Sequence, residues 1–496
     1  GFIARVANIA GNNDADIITN GHPTTNAFAR YVDEVGATIT QNFNEVPIEV
    51  REPLIALTKS FGVANADAAD VLTITVSATN NGTATAYNLR VLDDLTGSNL
   101  IYIGNEGGSD PPGNIDISIA NRPIFSWSAP NGIDPTSNIS FTFEVRVDNG
   151  VEPQEILDNT IQAAWTSLPS QNTALINGGA GPIGPDGEID GMRIGALPNA
   201  GDPINDYEAT ATDDMLVPGV ALTKTDLNPA VIPTIGEHKS FQIDITLPEG
   251  VTNNLMVTDT LNGPGLSFVL ENEAAFDITY TFQGIAAING VAPGEAALTA
   301  FPADETSNSA VWNIGTVVTQ TENDTSTNAI NPLIRINYFA RINNDADTDA
   351  GDSLQNSVDV TYTHGETGAM VTLTETTALQ TVVEPSLGLA KTVANITAPG
   401  APQAGDILRY TLTFTAAGGA PGDDFSDAFD LRIDDTLSLG LIYNGNPTVS
   451  GAGNTIAAPV LAGDGVTTPQ TLRWSLEDAN ADIGIAEGSV VTITYD

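Results

Sequence analysis

The chain has 496 residues, 62 acids against 16 bases, a formal charge of −46 and no cysteine. So acidic a surface argues against binding nucleic-acid phosphates or an anionic membrane over a large area. Without cysteine there is no disulfide, no thiolate metal site and no thiol nucleophile. The three histidines lie far apart, and no apolar run approaches the roughly 20 residues that cross a bilayer. The start, Gly1-Phe2-Ile3-Ala4-Arg5, lacks the charged-then-apolar pattern of a secretion signal. At roughly 100–200 residues per domain the length suggests three or four domains. Abundant Gly, Pro, Thr, Val and Ile without long helical-period stretches predicts an all-β protein with many loops.

The first ~50 residues carry an Arg and Asn pattern that belongs late in a domain, Phe2-Ile3-Ala4-Arg5 followed by Ile18-Thr19-Asn20. A complete unit then opens at Pro53-Leu54-Ile55-Ala56-Leu57-Thr58-Lys59. An alternating strand follows at Val71–Val76, a turn at Asn80-Asn81-Gly82, and a strand from Leu89 to Asp93. Trp127, Phe143-Glu144-Val145-Arg146 and Leu157-Asp158-Asn159 complete it.

The same order returns twice. Pro218 to Lys224 opens a second unit, with Phe241–Ile245, Pro248-Glu249-Gly250, Leu255 to Asp259, Trp312, Tyr338-Phe339-Ala340-Arg341 and Leu354-Gln355-Asn356. Pro385 to Lys391 opens a third, with Tyr410–Phe414, Leu431 to Asp435 and Trp474. The chain has only four lysines, and Lys59, Lys224 and Lys391 recur at intervals of 165 and 167 residues. The divisions are 1–52, the later part of a preceding or neighbouring sandwich; 53–217; 218–384; and 385–496, an incomplete unit. The third unit reaches Tyr495 without its own Arg and Asn landmarks. Either these residues belong to a longer tandem array, or the first ~50 residues complete the third domain of a neighbouring subunit through an added strand.

Leu-x-Lys, the alternating strand, Asn80-Asn81-Gly82-Thr83-Ala84 and the Leu-to-Asp strand resemble the repeat domains of large bacterial surface proteins of the domain-of-unknown-function-11 type. These overlap with isopeptide-forming fimbrial and adhesin domains. The first repeat carries the resemblance best, and the third, with Ala416-Ala417-Gly418-Gly419 in its turn, carries it less well. The resemblance implies tandem immunoglobulin-like β-sandwiches, secretion and a bacterial extracellular or cell-surface location.

Lys on a first strand, Asp on a middle strand and Asn on the last strand suggest an intramolecular isopeptide bond. The reaction needs a neutral amine and a polarised carboxamide, and burial shifts Lys and Asp in those directions. The candidate sets are Lys59, Asp93 and Asn159; Lys224, Asp259 and Asn356; and Lys391 and Asp435 with Asn20 of an adjoining copy, Asn26 being the alternative to Asn20. The nearby repeat tryptophan is expected to keep each site dry. The competing reading makes Lys a snorkelling edge residue, Asp a turn cap and Asn a loop anchor.

Acidic loops offer a calcium site at Asp186, Glu188 and Asp190, although none completes the twelve-residue calcium-loop pattern. The expected function is a structural stalk, fibre or filament that associates with copies of itself and binds no nucleic acid. It is not an enzyme beyond autocatalytic bond formation. The alternative is an adhesin or carbohydrate-binding module, calcium-dependent in one version.

Overall fold

The computed structural model describes residues 15–19, 28–42, 47–127, 132–169, 193–198, 207–263, 265–268, 276–298, 307–322, 332–344, 348–418, 425–428, 431–451, 458–475 and 485–496. The chain is all-β, and its strands form tandem immunoglobulin-like sandwiches. Four short strands come first: β1 (Ile17–Thr19), β2 (Phe28–Val32), β3 (Thr38–Asn42) and β4 (Pro47–Glu49). β1 pairs with β4 and β2 with β3, each as a separate two-stranded sheet.

The first sandwich comprises β5 (Ile55–Ser60), β6 (Val71–Asn80), β7 (Tyr87–Asp93), β8 (Leu100–Gly107), β9 (Asn114–Asp116), β10 (Ile124–Ser126), β11 (Asn138–Val147), β12 (Ile156–Thr166) and β13 (Glu208–Leu216). One sheet has the order β5-β6-β11-β8 and the facing sheet β13-β12-β7-β10-β9. The period-two pattern dictates this packing. In β6 Leu72, Ile74, Val76 and Ala78 point inward, and in β11 Phe141, Phe143, Val145 and Val147 do the same.

The second sandwich comprises β14 (Ala221–Asp226), β15 (His238–Thr246), β16 (Val251–Asn262), β17 (Leu266–Phe268), β18 (Thr279–Gln283), β19 (Ile285–Ile288), β20 (Ser309–Thr319), β21 (Leu333–Ile342), β22 (Ser353–Thr363), β23 (Met370–Thr376) and β24 (Gln380–Thr381). Its sheets run β14-β15-β21-β17, with β18 also on β21, and β19-β20-β16-β22-β23, with β24 also on β22.

The third comprises β25 (Leu387–Asn395), β26 (Leu408–Ala416), β27 (Arg432–Leu437), β28 (Thr448–Ser450), β29 (Val460–Ala462), β30 (Gln470–Ser475) and β31 (Val490–Tyr495). Its sheets run β25-β26-β31-β28 and β27-β30-β29. Each sandwich has its own buried apolar cluster. Strands β7, β16 and β27 occupy the same place. β7 lies between β10 and β12, and β16 between β20 and β22. Among the described residues β27 has β30 on one side and no strand on the other.

The Asn80-Asn81-Gly82 turn is a fastening for the first strand. The Asn80 side chain is fully buried, and its Oδ1 accepts from the Leu54 and Gly82 N–H groups at 3.1 and 3.0 Å. Its Nδ2 donates to the Ala84 and Ile133 carbonyls at 2.8 and 2.7 Å. Gly82 has no substitute: a Cβ there would stand 2.3 Å from the Glu52 carbonyl oxygen. Gly250, at φ 128°, allows a similar approach between the first two sandwiches, since a Cβ would lie 2.3 Å from Val151 O. Beside it the Val251 N–H donates to Val151 O at 2.9 Å, and the Glu249 N–H to Asp67 Oδ2 at 3.1 Å.

Candidate functional site

In the first sandwich Lys59 lies on the edge strand β5, and Asp93 and Asn159 lie on adjacent central strands of the facing sheet. The register sets Ile161 opposite Asp93, so Asn159 sits two residues earlier on β12 with its side chain on the same inner face. Lys59, Asp93 and Asn159 are all buried, Asp93 fully. Lys59 Nζ donates to the Asn159 backbone carbonyl at 3.1 Å, and Asn159 Nδ2 donates to Asp93 Oδ2 at 3.1 Å. Phe61 lies under the amine, 4.6 Å from Nζ to ring centroid.

The electrostatics follow from burial. Desolvation lowers the Lys59 pKa to about 8, against the opposing pull of Asp93, and raises that of Asp93 to about 6. Asp93 Oδ1 and Asn159 Oδ1 are both buried acceptors with no donor. A proton on Asp93 would turn one acceptor of this pair into a donor.

The second sandwich repeats the arrangement with one addition. Lys224 on β14 forms an ion pair with Asp259 on β16, both side chains fully buried. The Tyr338 hydroxyl on β21 accepts from Lys224 Nζ at 2.8 Å and from Asn356 Nδ2 at 2.5 Å. Asn356 is on β22, two residues before Val358, which stands opposite Asp259. Burial again lowers the lysine and raises the aspartate, and it holds the Tyr338 hydroxyl well above its ordinary pKa. Asp259 Oδ1 and Asn356 Oδ1 lack donors, as their counterparts in the first sandwich do.

The third site is partial. Lys391 on β25 pairs with both carboxylate oxygens of Asp435, at 2.5 and 2.7 Å, and the Tyr495 hydroxyl also donates to Asp435. Its lysine side chain is 40 % exposed, against 0 % for Lys224. Asn20 and Asn26 lie outside the described residues, and among the described residues no carboxamide is hydrogen-bonded to this pair. Asp186, Glu188 and Asp190 also lie outside them.

Three features differ from the sequence reading. First, Asn159 and Asn356 are not on the last strand of their sandwiches. Each begins a hairpin whose second arm, β13 or β23, forms the sheet edge. Second, Trp127 is not the counterpart of Trp312 and Trp474. Trp312 is opposite Val257 and Trp474 opposite Ile433, each two residues before the site aspartate, and the residue opposite Val91 is Phe125. Trp127 lies one alternation further on, donates its indole N–H to Asp110 O, and packs on Phe141. Third, Tyr338 belongs to the site and was visible only as an aromatic landmark of its strand. Phe143 fills that place in the first sandwich and Tyr495 in the third, packed on Phe125 and Trp474 at 4.8 and 4.9 Å between ring centroids. The fourth lysine, Lys239, is buried elsewhere, where it donates to the Asn228 and Val231 carbonyls and pairs with Asp226.

No protein-family profile matches the chain, and no curated protein matches it. Among solved structures it is similar to the full-length major pilin SpaD from Corynebacterium diphtheriae, at 13 % identity and a TM-score of 0.22, over 84 % of this chain and 77 % of that one. It is also similar to BcpA, the major pilin subunit of Bacillus cereus, at 9 % identity and a TM-score of 0.24, over 87 % and 97 % of the two chains. A collagen-binding domain from a Staphylococcus aureus adhesin matches at 15 % identity and a TM-score of 0.19, over 31 % and 95 %.

Proposed function

We propose that this chain is a structural element of an extracellular stalk or fibre, whose sandwiches are locked internally by Lys–Asn isopeptide bonds. The observation that supports it is the same dry Lys, Asp and Asn set in the first two sandwiches, each drawn from three different strands and two facing sheets. In the reaction the neutral lysine Nζ attacks the Asn Cγ. The Nζ–Cγ bond forms, the Cγ–Nδ2 bond breaks, and ammonia leaves. Asp93 or Asp259 donates to the carboxamide oxygen as charge develops there and carries the proton from Nζ to the departing nitrogen. No oxidant or external group is needed, and each site reacts once.

The mechanical consequence follows from the topology. A bond from Lys59 to Asn159 closes a loop across 100 residues. It joins the entry strand β5 of one sheet to a central strand of the other, so tension bypasses β6 to β11. Only the part of β12 after Asn159 and β13, which lie beyond the bond, remain to be peeled. The high negative charge keeps such a surface hydrated.

Proteolysis of the purified chain followed by tandem mass spectrometry tests the reading. A branched peptide joining the segments around Lys59 and Asn159, and a second joining those around Lys224 and Asn356, is the expected result. Recovery of only linear peptides containing Lys59 and Lys224 would refute it.

A further inference from the structure

A short loop of the first sandwich is gripped by the second. Residues 148–155 join β11 to β12. Within them Val151 is fully buried, and its carbonyl accepts at 2.9 Å from the N–H of Val251, the first residue of β16. The Pro153 carbonyl accepts at 2.8 Å from the N–H of Gly365, in the turn between β22 and β23. Side chains add to these backbone bonds. Asn253 Nδ2 donates to Glu152 Oε1 at 2.8 Å, and the Tyr362 hydroxyl on β22 donates to Gln154 Oε1 at 2.9 Å. One contact between two bodies leaves a pivot. Here the loop is held by three separate segments of the second sandwich, the start of β16, the end of β22 and the turn that follows it, so the contacts fix an orientation as well as a distance.

The residues at this joint are shaped by it. Gln154 has φ 63°, in the left-handed region that residues with a side chain seldom adopt. Such a conformation is kept where the surroundings over-determine it. Gln154 is held on both sides: its N–H donates to the Val217 carbonyl at 3.1 Å, and its side chain reaches Tyr362 in the other sandwich. Gly365 shows the converse. Its φ is not positive, so its backbone conformation does not call for glycine. Space does: a Cβ there would stand 2.8 Å from Glu152 Cβ and 3.0 Å from Glu155 Cβ of the first sandwich.

We propose that the first two sandwiches are one rigid body, joined by loop 148–155 rather than hinged at the linker 217–220. Domains of one chain move relative to each other by default when little but a linker connects them. Here the loop forms a second connection in parallel with the linker. A pull on the start of β12 passes into β16 and β22 through the loop, without first loading Val217 to Val220. In a stalk such a joint gives stiffness where a bare linker would give a pivot. The joint takes its purpose from the proposed structural role, and it needs neither isopeptide bond.

Distances between spin labels test the proposal. The chain has no cysteine, so two introduced ones are labelled uniquely. Thr75→Cys on β6 and Thr372→Cys on β23, both at exposed positions, report the separation of the two sandwiches by pulsed electron paramagnetic resonance. One narrow distance distribution is expected in the 496-residue chain. Gly365→Ala, which sets a methyl group against Glu152, and Gln154→Gly, which removes the bridging side chain and relieves its backbone, should each broaden it. A second label pair inside the first sandwich, Thr75→Cys with Thr210→Cys on β13, should stay narrow in both variants, which separates a loosened joint from a damaged fold. A broad distribution between the sandwiches in the parent pair, or one that stays narrow in both variants, would overturn the proposal. Lys59→Met and Lys224→Met should leave the distribution between the sandwiches narrow, so failure of the covalent reading and failure of the rigid joint are told apart.

Discussion

Lys59 Nζ lies 3.1 Å from the backbone carbonyl of Asn159, although the two residues are 100 positions apart and belong to opposite sheets. A buried amine held on the very residue whose carboxamide faces Asp93 is poorly explained by stability alone. Replacing a buried ion pair by apolar groups is often neutral or favourable. The arrangement makes chemical sense if the charges disappear when a bond forms.

The pKa shifts predict how bond formation depends on pH. Reaction needs a neutral Lys59 and a protonated Asp93, a state with one proton shared by the pair. With Asp93 at about 6 and Lys59 at about 8, the singly protonated pair predominates between those values. Within it the reactive arrangement is a minor form, roughly one in a hundred for a two-unit gap. Below pH 6 Asp93 takes up a proton while Lys59 keeps its own, and the nucleophile is lost. Above pH 8 Lys59 is neutral but Asp93 is charged, and the acid is lost. The rate in freshly refolded chain, followed by mass against time, should be flat from about pH 6 to 8 and fall on both sides.

Removing the acid should stop the reaction and weaken the fold. Asp93→Ala is expected to retain the full ammonia mass at the first site. It also takes from the buried Lys59 ammonium the carboxylate charge that most opposes its desolvation, which lowers stability. Urea unfolding of Asp93→Ala against Lys59→Met, which removes the charge and keeps the volume, should show the alanine variant to be the less stable.

Tyr338 offers a comparison inside one molecule. It holds both Lys224 and Asn356, whereas Phe143 occupies its place in the first sandwich and reaches neither group. Tyr338→Phe should slow bond formation at the second site, about tenfold if the hydroxyl helps to orient and polarise the carboxamide. Branched-peptide yield against time at the two sites is the readout, and the first site should be unchanged.

The Asn80 turn predicts a stability change away from any chemistry. Asn80→Ala removes four hydrogen bonds and strands buried partners such as the Ile133 carbonyl. A loss of about 1–3 kcal/mol is expected in urea unfolding of a Lys59→Met background, where no cross-link masks it.

Much of this was legible in the sequence because the repeat fixes several kinds of residue at once. Three lysines on one period marked the entry strands, and alternation marked which side chains face inward. Sequence order did not show which strand would lie next to which. Asn159 looked terminal because a long insertion separates it from β13, yet β13 returns to pair with β12 along nine residues. Trp127 misled for a related reason: an aromatic two positions away, Phe125, does the packing, and alternation alone cannot choose between residues on the same face. Tyr338 gave no signal of chemistry because its counterpart in the first sandwich is an ordinary core phenylalanine.

Force separates a bonded from an unbonded sandwich. In a single-molecule pull, Lys59→Met should release the 100 residues between the two positions, about 350 Å of extra extension at 3.5 Å per residue. The wild-type first sandwich should yield only the chain beyond Asn159.

The central claim is covalent, and the intact mass of the denatured wild-type chain tests it most directly. Two bonds, Lys59 to Asn159 and Lys224 to Asn356, predict a mass about 34 Da below that of the sequence, one ammonia for each bond. Lys59→Met or Lys224→Met should each restore about 17 Da of that deficit. A wild-type chain at its full sequence mass would contradict the account.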